Sequence, residues 1–166
     1  MSAVAAGAVL SLMGGGVALA GSGPEPEQPP ASGSAATEAG NPASVRAQAT
    51  GVCADAYQIG TTSYAYRQGE EIASVKQFYS PECNENYGYV WVWKSFLDKD
   101  ITFDLTVGVW SYEREYVVGA QTTAGTHEQE FWSAGTDTAS ECTSAEGVLT
   151  VPSEPVDYVG RSSQRC

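Results

Sequence analysis

The chain has 166 residues, 20 of them acidic and eight basic, for a formal net charge of −12. So few cations exclude a nucleic-acid partner, because phosphate binding needs clustered Lys and Arg. Four Trp and nine Tyr are too many for a wholly disordered chain, and the length suits one domain with additions.

The N-terminus reads as an export signal over residues 1–20. Ala3 to Leu12 is a small, apolar run, and Ala18-Leu19-Ala20 is a small-x-small cleavage site before Gly21. The basic n-region is missing, since no Lys or Arg precedes Arg46, which points to a start upstream of Met1. A retained membrane anchor is the weaker reading: Gly14-Gly15-Gly16 interrupts a run already short for a bilayer. With no Cys directly after the cleavage site and no apolar C-terminal tail, the expected mature chain has no transmembrane segment. It is extracellular, free in the medium or loosely associated with the envelope. Residues 21–50 hold five of the eight prolines and no aromatic residue. They are expected to be a disordered linker, because such a composition buries too little apolar area to offset its ordering entropy.

Residues 51–166 form the expected domain, and its periodicity is that of strands. Candidates are Ala56 to Tyr66, Ile72 to Tyr79, Tyr87 to Phe96, Ile101 to Val109, Tyr112 to Gln121, Glu128 to Ser133 and Val148 to Val151. In the Ile101 stretch, Ile101, Phe103, Leu105, Val107 and Val109 face one way and polar residues the other, as in an antiparallel strand with one wet face. Six or seven short strands with turn signals between them predict an all-β antiparallel sandwich or small barrel. Cys53, Cys83, Cys142 and Cys166 are an even number in an exported chain, so two disulfides are expected. Of the three pairings, Cys53–Cys83 with Cys142–Cys166 is preferred because it closes the shorter loops, a preference that sequence alone does not fix. The cysteines lack the close spacing of a zinc site.

No catalytic motif emerges. His127 is the single histidine. The metalloprotease helix needs a second one four residues on, so His127 is expected on an exposed edge or loop. There is no Gly-x-Ser-x-Gly elbow and no phosphate-cradling glycine loop. Glu82, Glu85, Glu113, Glu115, Glu128 and Glu130 could supply a carboxylate pair, but their abundance makes the pattern uninformative. The expectation is a non-enzyme without cofactor or metal.

The stretch with a functional edge is Tyr87-Gly88-Tyr89-Val90-Trp91-Val92-Trp93. Alternation puts Tyr87, Tyr89, Trp91 and Trp93 on one face, either as a stacking platform for sugar rings or a protein partner, or as core. Core is the stronger reading, because both faces of the strand are apolar. Trp110 and Trp132, next to polar neighbours, are the better candidates for exposure. The expected ligand is a polysaccharide or an extracellular protein. Alternatives are a structural cell-surface role and a hydrolase inhibitor presenting the loop Ser80–Asn86.

The run Tyr79-Ser80-Pro81-Glu82-Cys83, with Cys53 upstream and an aromatic strand after it, resembles an uncharacterised secreted domain family of actinobacteria. The likeness spans roughly residues 53–93. It implies an extracellular location, a Cys53–Cys83 bridge and a small β domain, and it brings no catalytic role. The second cysteine pair and the Ile101–Ser133 extension depart from that family's pattern.

Overall fold

The computed structural model describes residues 33–166, so the expected leader and the first part of the expected linker lie outside the described residues. In chain order the elements are α1 (Val45–Ala49), β1 (Tyr57–Arg67), β2 (Glu70–Ser80), β3 (Glu85–Val92), α2 (Lys94–Leu97), β4 (Phe103–Ser111), β5 (Tyr116–Thr126), β6 (Glu130–Trp132), β7 (Thr143–Thr150) and β8 (Asp157–Arg161). They build two four-stranded antiparallel sheets, ordered β1-β2-β3-β6 and β5-β4-β7-β8. The all-β sandwich follows the expectation, with one strand more. The addition is β8, too short and too polar to show an alternating apolar pattern.

Turn chemistry sets the register. Between β1 and β2, Gln68 and Gly69 both have positive φ (54° and 84°) and Arg67 faces Glu70, the geometry of a two-residue hairpin whose twist matches its strands. Between β2 and β3 the loop Pro81–Asn84 closes on Asn84 at φ 54°. The aromatic strand ends earlier than its periodicity suggests. Trp93 leaves the sheet as the N-cap of α2, and this single turn carries Phe96 into the core against Phe103, with ring centroids 5.6 Å apart. The fifth strand begins at Tyr116 because Tyr112–Glu115 is a turn, closed by Glu115 at φ 60°. The seventh begins at Thr143, well before Val148, since its first half is small and polar.

The core between the sheets is apolar at one end. Ala65, Val75, Val90, Val92 and Phe131 meet Phe103, Leu105, Val107, Ala145 and Leu149, all nearly inaccessible to solvent. Near the disulfide end it turns polar. There Gln77 Nε2 donates to Thr143 Oγ1 across the sheets at 2.6 Å, and Asn86 Nδ2 donates to Thr138 Oγ1 at 3.1 Å. The facing backbones also approach closely where β3 crosses β4: a Cβ on Gly88 would lie 2.4 Å from the carbonyl oxygen of Gly108. The sandwich is also stitched along its sides, by Ser163 N donating to Thr61 O (3.2 Å) and Ala134 N donating to Gly119 O (3.0 Å).

The cysteines pair as Cys53–Cys83 and Cys142–Cys166, over separations of 30 and 24 residues. The first ties the segment before β1 to the β2–β3 loop. The second ties the start of β7 to the strand-like bridge of Arg165 with Thr143. Residues 33–50 require a correction. They were expected to be linker, yet Asn41, Ser44 and Ala47 are buried. The domain therefore starts well before residue 51. Composition misled here because small residues are what a close-fitting cover needs.

Two outcomes follow from this packing. Gly88→Ala forces a methyl onto the Gly108 backbone and should cost about 1–3 kcal/mol in urea denaturation, the range for overpacked cores. The second concerns acid. Hydrogen bonds from Arg67, then from Tyr158, hold the Glu154 carboxyl below its ordinary value of 4.5 and tie the β7–β8 turn to β1. A lowered folded-state value stabilises above the unfolded one and is lost as pH falls through it. Arg67→Ala should thus lower the urea midpoint at about pH 7, with the difference closing by about pH 2.

Candidate functional site

The aromatic row of β3 faces away from the second sheet. Register places Tyr87 opposite Phe78, Tyr89 opposite Lys76 and Trp132, and Trp91 opposite Ser74 and Glu130. These side chains therefore share the outer face of the first sheet. The rings pack together: Phe78–Trp132 at 4.8 Å, Tyr89–Trp132 at 4.5 Å and Phe78–Tyr89 at 5.8 Å between centroids. Such a face left in water would be a large apolar patch.

It is covered by residues 33–56. Asn41 folds this arm into a loop, donating to the carbonyls of Gly33 (2.9 Å) and Ala35 (2.8 Å) and accepting from Ala43 N (3.0 Å). Gly40, at φ 87°, lies flat on the Phe78 ring, where a Cβ would sit 2.3 Å from Cζ. Ser44 caps α1 by accepting from Ala47 N at 3.0 Å, which turns Ala47 down onto the rings. The Tyr89 hydroxyl donates to Thr37 O at 2.5 Å, and the Tyr87 hydroxyl donates to Glu85 Oε2 at 2.7 Å. Burial, followed by the charges of Glu130 and Glu38, pushes the Tyr89 phenol well above its ordinary range. Burial and the bond to Glu85 do the same for Tyr87. Lys76 is equally enclosed, and its ammonium donates to Glu38 Oε1 at 2.5 Å and Glu38 O at 2.7 Å.

Of the six aromatic residues expected at a binding surface, Tyr87, Tyr89 and Trp132 are therefore core. Trp132 is a correction, since it was expected exposed and is 1% accessible. Its polar neighbour Glu130 does not draw it into water; the carboxylate Oε1 accepts the indole N–H at 2.9 Å beneath the arm. Trp91 and Trp93 are half-buried at the margin.

The outer face of the second sheet is different. Thr106 and Trp110 of β4 and Glu146 and Val148 of β7 lie on it partly open to solvent, with buried Gly108 and Ser144 at the alternate positions between and beside them. Trp110 lies on this face near the end of β4. The Arg161 guanidinium lies over the Trp110 ring, 4.3 Å from its centroid, and donates through Nε to Glu146 Oε2 at 2.8 Å. Tyr112 and Ser144 share a hydroxyl hydrogen bond at 3.2 Å beside it, and exposed Val159 extends the surface on β8. Such a ring–cation–carboxylate set can stack against a flat ligand and hydrogen-bond its polar groups. Arg161 was not singled out from sequence, where nothing marks an isolated Arg on a short strand.

Other side chains considered for chemistry are scattered. His127 sits in an exposed turn after β5, its Nε2 3.3 Å from Thr102 Oγ1 and 3.6 Å from Asp100 Oδ1. Glu82 and Glu85 belong to the β2–β3 loop region, Glu113 and Glu115 to the β4–β5 turn, and Glu128 and Glu130 to the β6 region. Cys53, Cys83 and Glu85 lie close together, but the sulfurs are bonded to each other and offer no thiolate to a metal. Among the described residues no helix is long and apolar enough to cross a membrane. Comparison with protein-family models, curated proteins and solved structures gives no match.

The arm's seal is testable through its buried cation. Glu38→Gln leaves the Lys76 ammonium enclosed without its carboxylate, and the partial exposure of Glu38 limits the loss to about 1–2 kcal/mol. Adding Lys76→Met should recover most of that loss in urea denaturation.

Proposed function

We propose that this is an exported, non-enzymatic β domain that binds an extracellular or cell-envelope ligand, with a polysaccharide as the leading class. One observation carries the reading: the arm encloses Phe78, Tyr87, Tyr89 and Trp132 on the first sheet, while the second sheet has no such cover and leaves Trp110 partly accessible beside Arg161 and Glu146. Sugar rings stack on an indole, accept hydrogen bonds from a neighbouring guanidinium and donate them to a carboxylate, so the same few side chains supply both kinds of contact. Two disulfides are compatible with an extracellular site of action, and the resemblance of residues 53–93 to secreted actinobacterial domains supports it.

A second reading, a hydrolase inhibitor, draws on the β2–β3 loop. Pro81, Glu82, Cys83 and Asn84 are all exposed. The loop is held at its base by Asp55, which accepts from Ser80 Oγ (2.5 Å) and Glu82 N (2.9 Å), and by the Cys53–Cys83 bond. A short, pinned loop loses little entropy when it enters a protease cleft.

The test is titration of the protein with soluble polysaccharides and cell-wall fragments, followed by intrinsic Trp fluorescence. A saturable response that weakens about tenfold in Trp110→Ala, with circular dichroism unchanged, is expected if loss of the ring costs about 1.4 kcal/mol. Binding untouched by that substitution would remove the second sheet as the site. Inhibition of a hydrolase that disappears with Glu82→Ala would favour the loop instead.

A further inference from the structure

Between the arm, α1 and β6 lies an open cleft of about 350 Å³, lined by Ser34, Ala36, Val45, Arg46, Ala49 and Glu130. Its walls are small and apolar, with Val45 72% exposed at the mouth. Its one deeply buried polar wall residue is Glu130, only 8% accessible. Glu130 Oε1 accepts the Trp132 indole N–H, and among the described residues no cation pairs with this carboxylate. Arg46 lines the same cleft but pairs with Glu128. Lys76, on the same sheet face, is taken by Glu38. Residues 1–45 contain no Lys, Arg or His, so no side chain of that preceding stretch can supply the missing positive charge. A buried carboxylate without a counter-charge is costly, and a cation that entered the cleft would relieve that cost.

We infer that this cleft is a binding site for a primary alkylammonium group, with Glu130 as its counter-charge. Two features choose ammonium over guanidinium. With Oε1 already engaged by the indole, the carboxylate is poorly placed to receive a two-pronged fork, whereas an ammonium needs a single oxygen. The walls of Ala36, Val45 and Ala49 suit an unbranched aliphatic stem, which gains by leaving water. A lysine side chain of a partner and a free aliphatic amine share this chemistry. The site is separate from the Trp110 surface, so either can fail without the other.

The bond from Trp132 to Glu130 provides the probe. The indole ¹H–¹⁵N resonance of Trp132 is followed by NMR during titration with n-butylammonium and with Nα-acetyl-lysine amide, in enough salt to screen the acidic surface. A saturable shift with both, absent with n-butanol, is expected. Equal affinities identify the amine and stem as sufficient, and tighter binding of the lysine derivative identifies a peptide-borne lysine. Glu130→Gln keeps an oxygen for the indole but loses the charge, and should weaken binding by about tenfold or more. Ala49→Leu, at an exposed position of α1, fills the cleft without altering charge and should weaken it similarly. The inference is overturned if no saturable shift occurs, if n-butanol produces the same shift, or if Ala49→Leu or Glu130→Gln binds as the parent does.

Discussion

A strand with large side chains on both faces has to be covered twice, and β3 is such a strand. Its Val90 and Val92 are covered by the second sheet, as in any sandwich, while Tyr87 and Tyr89 on the opposite face need a different partner. That partner is the arm of residues 33–56. Magnitudes show which contacts matter most. Enclosing Phe78, Tyr87, Tyr89 and Trp132 is worth roughly 1.5–3 kcal/mol for each large side chain. The Lys76–Glu38 pair and the single bond from Tyr89 to Thr37 contribute less, about 1–2 kcal/mol apiece, and act chiefly to place the arm. The Cys53–Cys83 bond keeps the arm's end beside the sheet it covers.

The cover explains why the two outer faces differ. On the first sheet, Phe78, Tyr87, Tyr89 and Trp132 are sealed, and the two tyrosine hydroxyls and the Trp132 indole N–H are consumed internally. On the second, the alternation of β4 and β7 leaves Thr106, Trp110, Glu146 and Val148 partly accessible, with the Arg161 guanidinium over the Trp110 ring. The binding capacity proposed for the molecule therefore moves to the sheet whose sequence is less aromatic. Between arm and sheet the fit leaves a gap lined by Glu130, the carboxylate that the arm's described residues do not neutralise.

Much of the architecture was legible in the sequence. The alternation from Ile101 to Val109 marked β4, the even cysteine count marked two bridges, and apolar residues on both faces of β3 argued for a core strand. Period-two patterns report which residues share a face but not what covers that face, so the rings could be read as platform or core. The arm was read as linker because Ala, Gly, Pro and Ser contribute little apolar area themselves. Their use here is closeness: Gly40 on Phe78 and Ala47 on the aromatic cluster fit where larger side chains would not. Trp132 was misread from its polar neighbour Glu130, whose carboxylate turned out to bond the indole. Arg161 reaches Trp110 from a strand 51 residues later, a pairing that no local pattern announces.

The central claim is that residues 33–50 are a layer of the fold and not a tether. Solvent exchange of the Trp132 indole N–H, compared between proteins spanning 33–166 and 51–166, tests this most directly. A slowly exchanging proton in the longer protein that becomes freely exchanging in the shorter one, with the sandwich still folded, is the expected result. Equal protection in both would mean that the sheet shields its own rings, and the arm would lose the role assigned to it.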